Sequence, residues 1–62
     1  MTGPFQSPRD RILWILSNNG GIMKRSRLRA RAEMRYELLN PILDELVREC
    51  RIRISGEMVT LI

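Results

Sequence analysis

The stretch Tyr36-Glu-Leu-Leu-Asn-Pro-Ile-Leu-Asp-Glu-Leu-Val-Arg-Glu-Cys50, followed by Arg51-Ile-Arg-Ile-Ser-Gly-Glu-Met-Val-Thr-Leu-Ile62, decides the fold. Leu39, Ile42, Leu43, Leu46 and Val47 fall at the i, i+3, i+4, i+7 spacing of one buried helix face, which predicts a helix over 36–49. After Cys50 the period drops to two. Arg51-Ile52-Arg53-Ile54 alternates polar and apolar, Ser55-Gly56 reads as a turn pair, and Glu57 to Ile62 alternates again through Val59 and Leu61. That is a β-hairpin. Pro41 interrupts the helical stretch: it removes one backbone bond and crowds the preceding turn, so a local distortion is expected there.

Upstream, Glu33-Met34-Arg35 reads as a tight turn, and a second helix is expected from about Ser26 through Ala32, with Leu28 and Ala32 as its apolar stripe. Gly21-Ile22-Met23 allows a very short strand. A first helix has a well-marked start: Ser7 as N-cap, Pro8 at the first helical position, and Asp10 at the positive dipole end. It stops at Asn18-Asn19-Gly20-Gly21, residues that tolerate left-handed backbone. Ile12 to Leu16 are five consecutive apolar residues, so this helix is expected to be central and covered on more than one side. Residues 1–6, with Gly3 and Pro4, read as a flexible N-terminal arm, and residues 7–62 as one domain. The order is helix, short strand, helix, tight turn, helix, hairpin. This predicts an α+β class: a winged helix-turn-helix of three helices with a C-terminal β-hairpin wing.

Composition narrows the chemistry. A 62-residue chain holds one domain of modest buried fraction. Cys50 is the only cysteine and there is no histidine, so neither an internal disulfide nor a zinc or haem site is expected, and no metal or cofactor. No pairing of carboxylates suggests catalysis, and an enzyme is not expected. No stretch approaches the roughly 20 apolar residues of a membrane helix. Residues 1–8 lack the pattern of a signal peptide, so a cytoplasmic protein is expected.

The formal net charge is +4, and ten of the eleven basic residues are arginine, the side chain whose fork geometry suits phosphate. The excess is local. Six bases (Lys24, Arg25, Arg27, Arg29, Arg31, Arg35) and one acid lie between positions 24 and 35, whereas positions 36–62 hold three bases and five acids. In the helix-turn-helix mode this run flanks the helix that enters the major groove. The six bases are therefore the expected backbone contacts to double-stranded DNA, and Arg35, Tyr36, Glu37 and Asn40 the expected base readers. Arg51 and Arg53 either touch a flanking phosphate or keep a sheet edge soluble. Tyr36 either stacks on the sugar–phosphate chain or closes the core beneath the turn. Trp14, on the opposite side of its helix from Ile12 and Leu16, predicts a homodimer interface, with Phe5 either joining it or covering it. The main competing expectation is a protein-interaction module; RNA binding is less supported, because Phe5, Trp14 and Tyr36 are the only aromatic residues.

The segment Ser26-Arg-Leu-Arg-Ala-Arg-Ala-Glu-Met-Arg-Tyr-Glu-Leu-Leu39, with Leu43-Asp-Glu-Leu46 and the hairpin after it, resembles the small archaeal winged-helix DNA-binding proteins of chromatin and transcription-regulator type. The resemblance covers roughly residues 10 to 56 and is most specific at Arg27, Leu28, Ala32, Met34, Tyr36 and Leu39. It implies a sequence-tolerant or regulatory DNA binder. This chain departs from the family at Pro41 and at Cys50, where members have Gly. The long C-terminal helix through which many members dimerise has no counterpart here, so that dimer mode is not carried over.

Overall fold

The computed structural model describes residues 7–62; the expected arm and Phe5 lie outside the described residues. The elements run α1 (Pro8–Ser17), β1 (Ile22–Lys24), α2 (Arg25–Ala32), α3 (Tyr36–Arg48), β2 (Ile52–Ser55) and β3 (Met58–Leu61). Three helices pack with one antiparallel sheet of order β1-β3-β2. The class is α+β.

Each helix end has a local cause. The Ser7 hydroxyl accepts from the Asp10 N–H, capping α1. At the other end Asn18 and Asn19 donate their side-chain amides to the Trp14 and Ile15 carbonyls (2.9 and 2.7 Å). All three helices are followed by left-handed backbone, α1 by two glycines in succession (Gly20 and Gly21) and α2 and α3 by a single residue. Gly20 (φ +77°) follows α1, and the Gly21 N–H donates back to the Leu16 carbonyl. Glu33 (φ +56°) follows α2, with Glu33 and Met34 N–H donating to Ala30 and Arg29. Cys50 (φ +60°) follows α3, with Cys50 and Arg51 N–H donating to Val47 and Leu46. This bond pair satisfies helix carbonyls that would otherwise be orphaned.

α3 runs unbroken through Pro41, whose exposed position leaves the unsatisfied Glu37 carbonyl on the solvent side. Its buried face is Leu39, Ile42, Leu43 and Leu46. Val47, expected with them, is 40% exposed, because one further residue turns it about 100° off that face. The first helix is also less enclosed than its apolar run suggests. Ile12, Ile15 and Leu16 are buried, Leu13 is half-buried and Trp14 is 49% exposed, so the described residues bury one side of α1.

The hairpin is shifted by one residue from the expectation. Ser55 pairs with Met58, so the turn is Gly56-Glu57, and Arg51 stays outside β2. Positive φ at Gly56 alone matches the two-residue turn that follows strand twist. β1 completes the sheet along the other edge of β3, with Met23 opposite Val59. Alternation sorts the sheet into two faces. Met23, Ile52, Ile54, Val59 and Leu61 face the helices, while Ile22, Lys24, Arg53, Ser55, Met58 and Thr60 line the outer face. The core contains thirteen buried apolar residues and no buried polar one among the described residues.

The two left-handed positions without glycine carry a backbone cost. Glu33→Gly and Cys50→Gly should each raise stability by about 0.5–1 kcal/mol, and Cys50→Val should lower it by about 1 kcal/mol. Thermal denaturation reads this, at about 4–8 °C per kcal/mol for a domain this small. Unchanged melting for both glycine variants would refute the assignment.

Candidate nucleic-acid interface

The six-base run does not form one surface. On α2, Arg25 and Arg29 are four apart on one side, Arg27 and Arg31 four apart on the other, with Ser26 and Ala30 outward between them. Each side meets different neighbours. Arg25 and Ser26 line a cleft with Tyr36, at the start of α3, and with Gly56 and Glu57 at the hairpin tip. The Arg25 N–H donates to the Glu57 carbonyl (2.7 Å), which ties the start of α2 to that tip. Arg27 and Lys24 instead line a groove with Asn19, Ile22, Met23 and Met58. Arg31 lies beside α1, in a depression shared with Arg11, Trp14, Asn18 and Asn19.

Arg29 serves the turn. Its guanidinium donates to the Met34 carbonyl (3.3 Å) and lies 5.3 Å from the centre of the Tyr36 ring. Tyr36 itself is 43% exposed; the residue that closes the core beneath the turn is Met34. Arg11 performs a similar task, donating to the Ala32 carbonyl (3.1 Å) at the end of α2. Neither role is visible in a sequence, because both depend on how α1 and α3 approach α2.

The solvent side of α3 carries Glu37, Pro41, Asp44 and Arg48 at helical spacing, with Asn40 beside them, all exposed. Two acids of this helix are engaged elsewhere. Arg9 of α1 pairs with Glu49 and, at 3.6 Å, with Glu45; Arg51 pairs with Glu49 at 3.4 Å. Arg51 is therefore held at the base of the hairpin by an acid of its own chain, while Arg53 projects from the exposed outer sheet face. Arg35 is exposed in the turn just before α3. Among the described residues no three His, Cys, Asp or Glu side chains gather as a metal-holding group, and no helix is long and apolar enough to cross a membrane.

Arg29 and Arg31 look alike in sequence and should behave differently. Arg29→Ala should cost about 1–2 kcal/mol, from the lost carbonyl hydrogen bond and ring contact. Arg31→Ala should stay within about 0.5 kcal/mol of wild type. Urea denaturation separates them, and equal losses would remove the distinction. No protein family, no curated protein and no solved structure matches this chain.

Proposed function

We propose that the chain is a winged helix-turn-helix domain that binds double-stranded DNA, with α2, the turn at 33–35 and α3 as the helix-turn-helix and β2–β3 as the wing. One observation carries the reading: the start of α2, the start of α3 and the hairpin tip converge on the cleft of Arg25, Ser26, Tyr36, Gly56 and Glu57. A helix-turn-helix needs this convergence, because its first helix crosses the phosphate chain while the start of its second reaches base edges. Helix N-termini also present N–H groups to phosphate. In this reading Arg25, Arg35 and Arg53 grip phosphates. Asn40 reads adenine and Glu37 accepts from a cytosine amino group.

Three phosphate contacts give a log-affinity against log-salt slope near −3, at about −0.9 per contact. Arg25→Ala should flatten it by about one, and Arg27→Ala should leave it unchanged. Asn40→Ala should change the ranking of duplex sequences more than the nonspecific affinity. A protein-docking role is the second reading, favoured by Glu37 and Asp44 on the outward face of α3, where only Arg48 is basic. A slope near zero on any duplex would favour it and sink the DNA reading.

The same proposal includes a homodimer through the half-exposed Trp14 on α1. Light scattering at micromolar concentration should give a dimer for wild type and a monomer for Trp14→Glu. A wild type that stays monomeric over that range overturns it.

A further inference from the structure

We infer that the free edge of β1, with the groove beside it, binds an extended, acidic and apolar segment of a partner protein as a fourth strand. The inference is independent of the DNA reading and uses the bases that reading leaves aside.

Register exposes the edge. The Leu61 N–H donates to the Gly21 carbonyl and the Arg25 N–H to the Glu57 carbonyl, each at 2.7 Å, on either side of the Met23–Val59 pair. Antiparallel bonding alternates, so Met23 turns its backbone groups toward β3, whereas Ile22 turns its N–H and carbonyl, and Lys24 its N–H, away; the Lys24 carbonyl, at the N-cap, serves the first turn of α2. Among the described residues β1 has no strand on that outer side, since the sheet order is β1-β3-β2. An extended segment can pair with those outward groups by strand addition.

The side chains around the edge choose the occupant. The groove is lined by Asn19, Ile22, Lys24, Arg27 and Met58, and by Met23, whose side chain is buried in the core, with no acid among them. Ile22, the first residue of the edge strand, is 46% exposed. Protein edges are ordinarily guarded by charge, and Lys24 alone would do that; an exposed isoleucine beside it does the opposite. The two cations call for carboxylates, and the outward side chains of Ile22 and Met58 call for apolar ones. A second copy of this chain fits poorly. Pairing β1 with β1 would bring Lys24 and Arg27 of both copies together, and facing like charges destabilise a strand pair. A nucleic-acid backbone would satisfy the cations and leave the apolar lining against charged phosphate.

The test uses the full chain, labelled for amide NMR, and a synthetic peptide of alternating Glu and Val. Saturation with the peptide should slow hydrogen exchange at the Ile22 and Lys24 amides by about tenfold or more. A Lys–Val peptide and an alternately N-methylated Glu–Val peptide should not bind, the first lacking the charge and the second the strand donors. Lys24→Glu combined with Arg27→Glu should weaken Glu–Val binding at least about tenfold. If that double variant does not fold, the N-methylated peptide decides the matter on wild-type protein. Four results overturn the inference: no binding of the Glu–Val peptide, equal binding of its N-methylated form, protection of Ile22 by raising protein concentration alone, or the same protection by a short DNA duplex.

Discussion

Three left-handed residues, Gly20, Glu33 and Cys50, hold this architecture together. A chain of 62 residues must turn three helices onto one core, and the connections are too short for gradual loops. After each helix a left-handed reversal precedes the next buried side chain: Met23 after Gly20 and Gly21, Met34 after Glu33, Ile52 after Cys50. Each fully buried large apolar side chain contributes roughly 1.5–3 kcal/mol. A bulky or β-branched residue at positions 33 or 50 would therefore oppose folding through the backbone, although both side chains are exposed.

Much of this was legible in the sequence because its causes are local. The Ser7 cap depends on a neighbour three residues away. The switch from period 3.6 to period 2 at Cys50 is a property of the chain itself, and so is the demand for positive φ between a helix and a strand. What was not legible depends on contacts distant along the chain. Gly21-Ile22-Met23 is too short to declare itself a strand; the strand lies one residue later, at Ile22–Lys24, because β3 lies alongside. The apolar run at 12–16 suggested enclosure, yet the small fold has only enough mass to cover one side, which leaves Trp14 half in water. The one-residue shift of the hairpin turn follows from the preference for glycine at the first turn position, a rule available in the sequence at Gly56 but outweighed there by the Ser-Gly pairing.

The basic run shows how composition and geometry part ways. Six bases in twelve residues read as one patch, but helical spacing already separates Arg25 and Arg29 from Arg27 and Arg31. The fold then gives the groups different tasks. Arg29 is spent on the turn, Arg25 joins the cleft at the hairpin tip, and Arg27 joins Lys24 beside an apolar groove. The acids are sorted too. Glu45 and Glu49 are drawn to Arg9, so two of the negative charges on α3 lie against α1 rather than on its outward face.

That sorting bears on how selective a DNA contact could be. The outward face of α3 offers Glu37, Asn40, Asp44 and Arg48, a set able to discriminate among base edges but short of positive charge. In the proposed reading the attraction to phosphate would come from Arg25, Arg35 and Arg53, which flank this helix rather than belong to it. Separating the two tasks has a physical consequence. Phosphate contacts set affinity for any duplex and weaken steeply with salt, whereas carboxylate and amide contacts to bases add little attraction and mainly penalise the wrong partner. In the proposed DNA-binding reading, with so few gripping arginines, one copy of this domain would hold DNA weakly, and Glu57 at the hairpin tip, beside Arg25, would weaken it further. A second attachment, through another copy or through a partner seated on the β1 edge, would raise the effective concentration at the duplex without any new base contact.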